Sequence, residues 1–190
     1  MWGGLTHTWT GYTELLEQGC DAALFIGMHA RAGTEKGVLS HTVSSETWHE
    51  LWFNGVPVGE TGINAALCGH WGCPVLLVTG DEATCQEATE LLGSGLTTVA
   101  VKRGLSRFSA RQVPPVRARQ MIEAGAQRAL ANLKAVKPYD PGRPCEIEIE
   151  VVSPDRADRF RNKPGVTMTS SRRIVSRGPD WWTAWKQFWF

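Results

Sequence analysis

Three short strand-like segments, rich in apolar residues, constrain the fold of this 190-residue chain more than any other feature of its sequence. They cover residues 22–26, 74–79 and 97–102, and a helical pattern at 82–92 separates the last two. Runs of this length, bounded by turn residues, are typical of strands buried in a parallel sheet. Strand, helix and strand at this spacing predict a right-handed βαβ unit. We therefore expect an α/β protein with a mostly parallel, three-layer sheet domain.

A second, smaller domain is expected after the segment 137–144. This segment contains three prolines and a glycine, a composition typical of a linker. Beyond it, residues 146–152 alternate glutamate with isoleucine or valine, which is the period of a half-exposed strand. The sequence thus predicts an α/β domain over residues 1–137 and a smaller α+β domain over residues 145–190.

Two connecting patterns and one long helix complete the larger domain. A hairpin is expected at 46–58, because the aromatic-rich first half has high strand propensity and Asn54-Gly55 is a strong turn signal. Residues 60–69 and 114–133 each carry an apolar stripe at helical spacing. The predicted hairpin therefore lies directly before the predicted helix at 60–69.

The last ten residues hold four tryptophans and two phenylalanines. If this segment is helical, Trp181, Trp185 and Phe188 share one face. We expect that face to dock onto the chain's own domain, and a contact between subunits is the alternative.

Composition and charge exclude several classes of function. The net charge of +1 gives no basic footprint for a nucleic acid. No apolar run approaches the about 20 residues that a membrane helix needs, and the first ten residues do not resemble a signal peptide. Five cysteines, an odd number at irregular spacing, do not suggest a disulfide framework. A cytoplasmic protein without a nucleic-acid or membrane partner is therefore expected.

Two histidines and a glutamate form the candidate site. His29 follows the first apolar run, at the strand end where open α/β sheets bind ligands. A loop then delivers His41, and Glu60 begins the next helix. Two imidazoles and a carboxylate suit a zinc site with a neighbouring proton-transfer group. On spacing alone, the alternative is that both histidines are loop residues hydrogen-bonded to the backbone, since no H-E-x-x-H signature is present.

Three further polar residues are candidates for contacts with a substrate or with a ligand side chain. Asn64 lies one turn after Glu60 and should point the same way, although a packing or capping role is an alternative. Asp81 and Lys102 follow the other two buried strands, on the same edge as His29. Asp81 could support a ligand, and Lys102 could hold a substrate carboxylate or a developing oxyanion. A structural ion pair or loop anchor is the alternative for both.

A compact group of soft ligands, Cys68-Gly-His70-Trp-Gly-Cys73, also suggests metal binding. Structural zinc needs four ligands, and the sequence offers no second cluster to complete the set. The group also falls where a helix must end and a strand begin. We therefore do not expect a metal there.

Five sequence blocks follow one another along the chain: F-I-G-M-H-A-R-A, G-V-L-S-H-T, N-G-V-P-V-G-E-T-G-I-N-A, P-V-L-L-V-T-G-D and V-A-V-K-R-G-L-S-R. Together they resemble the bacterial zinc-dependent D-aminopeptidases associated with dipeptide-transport operons, over about residues 14–169. The resemblance implies a site with two zinc ions. It places His29 and Glu60 as zinc ligands and His41 as the catalytic histidine beside the metals. Ser106 and Arg107 fall in the last block without an assigned role.

The same resemblance implies an activity and an assembly. Short peptides with an N-terminal D-residue, D-alanine dipeptides especially, would be hydrolysed by a zinc-activated water. The family forms a ring-shaped homo-oligomer whose active sites face an inner chamber. These properties are expectations from the resemblance, and no residue pattern shows D-selectivity by itself.

One part of the family pattern is missing from the sequence. Family members open with a strand carrying an Asp-x-Glu pair and then supply another histidine, all before the position of Ala22. No such pair precedes Ala22 here, and His7 lies in a polar stretch without a strand before it. The expectation is a member lacking the N-terminal metal-binding segment. Alternatives to an active hydrolase are therefore an inactive homologue acting as a non-catalytic subunit, or a peptide-binding module.

Overall fold

The computed structural model describes residues 16–189 of the chain. The expectation for His7 falls outside these residues, and the described part opens with one 3-10 turn at Leu16–Gln18. Within the described part, the strands are β1 Ala23–Phe25, β2 Trp48–Phe53, β3 Val56–Pro57, β4 Val75–Asp81, β5 Thr97–Ser106, β6 Ser109–Gln112, β7 Cys145–Val151, β8 Val166–Met168 and β9 Arg173–Gly178. The helices are α1 Glu60–His70, α2 Glu82–Leu92, α3 Pro115–Leu130, α4 Pro154–Ala157 and α5 Trp181–Lys186.

The first sheet has the strand order β1-β4-β5-β6. Strands β1, β4 and β5 are parallel, and only β6 runs antiparallel to its neighbour. All seven residues of β4 are buried, as expected for a central strand covered on both faces. Helices α2 and α3 contact β4 and β5, so the predicted α/β class with a mostly parallel sheet is confirmed.

The second sheet is antiparallel and has the order β3-β2-β7-β9-β8. Its β2–β3 hairpin turns at Asn54 and Gly55, whose positive φ angles of 46° and 79° match the predicted turn. The Asn54 Oδ1 accepts a hydrogen bond of 2.7 Å from the Glu146 N–H, which fastens the turn to β7. This sheet thus draws strands from both 1–137 and 145–190, and the division into domains at that boundary stays a prediction.

Helix α1 lies between the two hydrophobic cores. Ile63 and Leu67 pack with the side chains of the second sheet, whereas Ala65 and Cys68 pack with those of β4. Burial on both sides fixes the helix firmly, because movement in either direction would open a cavity. The first residue of this helix is Glu60, so the position of its carboxylate is set by both cores.

The aromatic C-terminal segment docks onto the second sheet, as predicted. Trp181, Trp185 and Phe188 are 3%, 0% and 1% exposed, and α5 contacts β7 and β9. The helix begins at the cap residue Asp180, whose carboxylate accepts a hydrogen bond of 2.7 Å from the Thr183 N–H. Among the helices of residues 16–189, none is long and apolar enough to cross a bilayer.

Candidate metal centre

The loop that carries both histidines starts at the carboxyl end of β1. The N–H groups of Gly27 and Met28 donate to the Thr79 hydroxyl at 2.9 Å and to the Thr79 carbonyl at 2.8 Å. These bonds tie the end of β1 to β4 just before His29. His29 therefore lies at the strand edge predicted from the sequence.

Two carboxylates from β4 and α2 hold the rest of this loop. Asp81 is 0% exposed and accepts from the Val38 N–H at 2.6 Å, and it also caps α2 by accepting from the Thr84 N–H at 2.7 Å. Glu87 accepts from the Arg31 N–H at 3.0 Å. Burial raises the pKa of Glu87, and the Arg31 N–H opposes that rise. Asp81 is thus a loop anchor, which was the alternative role considered for it.

Close backbone approach on two sides explains two glycines. A Cβ at Gly59 would lie 2.8 Å from the Cβ of Arg31, and a Cβ at Gly104 would overlap the carbonyl oxygen of Lys36. The histidine loop is therefore packed closely against the start of α1 on one side and against β5 on the other. Side chains at these positions would push the histidine loop away from Glu60.

The three predicted residues converge. The Nε2 of His29 lies 2.9 Å from Oε2 of Glu60, and the Nε2 of His41 lies 3.6 Å from the same oxygen. The two imidazole rings stack, with centroids 3.9 Å apart and an interplanar angle of 17°. One ligand atom from each residue lies within 4.8 Å of the others, and no other such group of three is found in residues 16–189.

Backbone carbonyls orient both rings. The Nδ1 of His29 lies 3.1 Å from the Ala30 carbonyl, and the Nδ1 of His41 lies 2.7 Å from the Leu39 carbonyl. A carbonyl only accepts, so in the neutral rings the proton is on Nδ1 and the Nε2 lone pair is free. The backbone bonding considered as an alternative to metal ligation is thus present, but it occupies the other nitrogen of each ring.

The Glu60 carboxylate is buried without a well-formed hydrogen bond. Its side chain is 12% exposed, and within the described residues its Oε2 has no partner of acceptable hydrogen-bond geometry, although two ring nitrogens lie nearby. A buried acceptor facing two lone pairs needs a positive charge between them. An imidazole nitrogen and a carboxylate oxygen are ligands that zinc accepts, and the second imidazole can transfer a proton beside them, so the residues present fit a metal ion with a neighbouring proton-transfer group.

The electrostatics of His29 point the same way. Burial disfavours the charged ring, but the negative charge of the Glu60 carboxylate 2.9 Å away and the Ala30 carbonyl outweigh burial and raise the pKa of His29. The site therefore favours a positive charge at this nitrogen. A proton can supply that charge, and a metal ion can replace the proton once the ring is neutral.

The other predicted residues do not join this group. Asn64 is half-buried in α1, and Lys102 lies on β5 opposite Asp81 in the strand register. In the described part of the chain, no hydrogen bond or ion pair links either side chain to the two histidines or to Glu60. His70 packs against Trp182, with ring centroids 5.5 Å apart.

A cleft of about 390 Å³ opens beside His41, and its walls include Ser40, Trp48, His49 and Arg107. Arg107 comes from the turn between β5 and β6 and donates from Nε to the Ser40 carbonyl at 3.0 Å. Among residues 16–189, no carboxylate pairs with its guanidinium. No role was predicted for Arg107 from the sequence, although it lies in the last of the five blocks.

Comparison with known proteins identifies the family. The model of peptidase family M55, the D-aminopeptidases, matches residues 4–190. A D-aminopeptidase of Bacillus subtilis (strain 168) is 35% identical over 162 residues, which are 85% of this chain and 58% of that protein. The solved structure of the Zn-dependent D-aminopeptidase DppA from Bacillus subtilis, a self-compartmentalizing protease, matches with a TM-score of 0.84 and 32% identity over 92% of this chain and 63% of that chain.

The chain thus spans about three fifths of the length of the relatives it matches. The identities are 35% and 32%, and the family match covers nearly the whole chain. The resemblance predicted from the five sequence blocks is confirmed, and the chain belongs to the M55 family of D-aminopeptidases.

Proposed function

We propose that this chain takes part in the zinc-dependent hydrolysis of short peptides that begin with a D-amino acid. The observation that carries the proposal is the convergence of His29, His41 and Glu60 with a buried carboxylate oxygen left without a proper hydrogen bond. His29 and Glu60 are the proposed zinc ligands. His41 is the proposed catalytic residue, because it alone of the three lines the adjoining cleft.

Peptide hydrolysis needs a nucleophilic water, a polarised carbonyl and a proton for the leaving amine. Bound zinc would supply the Lewis acid and lower the pKa of water. His41 presents a free Nε2 lone pair, because the Leu39 carbonyl holds its Nδ1 proton at 2.7 Å. It can therefore take a proton from the nucleophile and return one to the leaving nitrogen. Its ring stacks on His29, which limits its orientations.

The cleft suits a short peptide. Its volume of about 390 Å³ accommodates a small ligand. Trp48 supplies an apolar surface, and Arg107 supplies a cation without a carboxylate partner in the described residues. We infer that Arg107 binds the C-terminal carboxylate of the peptide, a role that sequence reasoning offered to Lys102. The preference for an N-terminal D-residue, and for D-alanine dipeptides, rests on the family alone.

Assembly and location are also part of the proposal. The relative DppA is a self-compartmentalizing protease, and we propose that this chain also forms a homo-oligomer. Phe108 and Val116 are 75% and 61% exposed and offer apolar contact surface. Five free thiols suit a reducing cytoplasm.

The test is hydrolysis of D-Ala-D-Ala and L-Ala-L-Ala by the purified chain with and without zinc. We expect zinc-dependent release of D-alanine, with little release of L-alanine, and loss of activity in Glu60→Gln. His41→Ala should lower kcat by about 100-fold to 10,000-fold while keeping its zinc, because it removes proton transfer and not a ligand.

Two outcomes lead elsewhere. Zinc binding and peptide binding without hydrolysis would favour the non-catalytic subunit or peptide-binding module. Absence of zinc binding in the folded chain would contradict the proposal.

A further inference from the structure

Three of the five cysteines meet at the end of α1 that lies away from Glu60. Cys68 is in the last turn of α1, Cys73 lies two residues before β4, and Cys20 lies three residues before β1. The Cys73 N–H donates to the Cys68 carbonyl at 2.9 Å, and the Ala23 N–H donates to the Pro74 carbonyl at 2.8 Å. These bonds hold the three segments side by side. The Cys20 thiol lies 3.3 Å from the Ala22 carbonyl and the Cys73 thiol lies 3.9 Å from the Pro74 carbonyl, so both sulfurs lie beside the backbone hydrogen bond that joins these two segments.

The three thiols differ sharply in their access to solvent. Cys20 is exposed, whereas Cys68 and Cys73 are 6% and 0% exposed. Burial raises the pKa of Cys68 to about 11, and burial together with the Cys20 and Cys68 thiols raises that of Cys73. A small oxidant in solution therefore reaches Cys20 first. Cys73 meets the oxidised sulfur from within the protein.

We propose that Cys20 and Cys73 form a reversible disulfide when the protein meets a hydroperoxide. The Cys20 sulfur attacks one oxygen of hydrogen peroxide and the O–O bond breaks, which gives a sulfenic acid and one water. The Cys73 sulfur then attacks the Cys20 sulfur, the S–OH bond breaks, and the hydroxyl leaves as water with the Cys73 proton. Two thiols thus supply the two electrons that reduce the peroxide to two waters.

The bond would join the two elements that carry the site. Strand β1 leads into the loop with His29, and α1 begins at Glu60. The disulfide would fasten the entry of β1 to the chain that links α1 to β4, at the end away from the histidines. Disulfides of this kind in reducing compartments are usually transient and sensitive to redox conditions. The inference needs neither a metal nor a peptide and stands apart from the proposed function.

The chain offers matched internal controls. Cys85 and Cys145 are also buried, and burial raises the pKa of each to about 11, with no other cysteine among the causes. They share the burial of Cys73 but lie on other elements, Cys85 on α2 and Cys145 at the start of β7. Cys68 lies beside Cys73 but not at the surface, so Cys68→Ser tests whether the disulfide needs the third thiol.

The experiment treats the intact protein with increasing hydrogen peroxide, blocks the remaining thiols by alkylation, and maps the peptides by mass spectrometry without reduction. Chymotrypsin cleaves after Trp71 and separates Cys68 from Cys73. We expect Cys20 and Cys73 to be lost together in a one-to-one ratio as a linked peptide within one chain. The link should disappear with dithiothreitol and in Cys20→Ser, and persist in Cys68→Ser.

Three results would overturn the proposal. In the first, Cys20 proceeds to the sulfinic or sulfonic acid while Cys73 stays open to alkylation. In the second, Cys85 and Cys145 oxidise as readily as Cys73. In the third, the disulfide joins Cys73 to Cys68 or joins Cys20 residues of two chains. Cys20 is exposed, so Cys20→Ser should fold normally, and a circular dichroism spectrum checks this.

Discussion

The histidine loop and the C-terminal aromatic helix differ in what their side chains contribute, polar atoms in the first and apolar packing in the second. Around α5, large side chains fill space: Trp185 is fully buried, stacks on Trp181 with centroids 5.5 Å apart, and meets the edge of Phe53. Around Glu60, two imidazole nitrogens and a carboxylate oxygen approach one another without a hydrogen bond of acceptable geometry to the oxygen. The first region gains stability from packing, whereas the second brings a carboxylate oxygen and two ring nitrogens together at short distances.

Because of this difference, zinc binding and folding stability should depend on different residues. Apolar burial at α5 contributes about 25 cal/mol per Å² of surface removed from water. The site atoms contribute little to folding in the metal-free chain, since a buried acceptor without a partner costs free energy. Substitutions in the two regions should therefore change different measured quantities.

The largest expected effect is on stability, at Trp185. Trp185→Ala should lower the free energy of unfolding by about 3–5 kcal/mol, because it leaves a large cavity between β7, β9 and α5. Urea denaturation measures this loss, and Trp182→Ala, at a half-buried neighbour, should lose clearly less. Zinc affinity of the folded protein should stay unchanged. Weaker zinc binding in a folded Trp185→Ala protein would break the separation of the two regions.

Asp81→Ala should lower both the free energy of unfolding and the zinc affinity. It removes the cap of α2 and leaves the Val38 N–H without its partner, which together should cost about 2–4 kcal/mol. The loop should also loosen, so that zinc affinity falls. Denaturation and a competitive zinc titration measure the two effects. A stable variant with normal zinc affinity would show that Asp81 does not hold the histidine loop.

Arg107→Gln should change peptide binding more than any other measured quantity, since the hydrogen bond to the Ser40 carbonyl is the one other side-chain hydrogen bond of Arg107 among the described residues. Loss of a charge-assisted hydrogen bond of about 1.5–3 kcal/mol corresponds to about 10-fold to 100-fold weaker binding of D-Ala-D-Ala. Calorimetry with the peptide and with its C-terminal amide separates the carboxylate contribution, since the amide should bind both proteins alike. The exposed Arg111 on β6 provides the matched control, Arg111→Gln. An equal loss for acid and amide would rule out carboxylate recognition by Arg107.

The smallest effect concerns the pH dependence of the α5 cap. The hydrogen bond from the Thr183 N–H outweighs the opposing effect of burial and lowers the pKa of Asp180 below its ordinary 3.8. A lowered pKa in the folded protein gives stability above the unfolded pKa, and that stability is lost as pH falls through the folded pKa. Asp180→Ala should therefore cost about 1 kcal/mol at neutral pH.

Denaturation curves at several pH values check this sign. The difference between the wild-type protein and Asp180→Ala should shrink toward zero in acid below pH 3.8. A constant difference across that range would show that the cap does not depend on the carboxylate charge.

Apolar patterning was sufficient to predict the parallel sheet and its helix. Helix α2 has the predicted bounds, and β4 and β5 fall on the predicted runs. Strand β6, Ser109–Gln112, was missed because it is a polar and mostly exposed edge strand, and edge strands lack the apolar signal. Strand β8, Val166–Met168, was missed for its shortness.

The site shows the same limit. Sequence blocks indicated His29, His41 and Glu60, but no spacing encodes the stacking of the two rings or the shared carboxylate oxygen. Those features depend on glycines that let separate segments approach closely. The placement of Arg107 in the cleft depends on a turn between β5 and an unpredicted strand. Local sequence patterns do not predict such tertiary contacts.

The most direct test is the zinc affinity of the purified chain, measured by competition with a chelator, for the wild-type protein, His29→Ala and Glu60→Gln. The account predicts that the wild-type chain binds zinc and that each variant binds it at least about 100-fold more weakly, beyond the usual cost of altering an outer partner. All three proteins should have similar urea midpoints. A folded wild-type chain without zinc, or variants that bind as tightly as the wild type, would contradict the account.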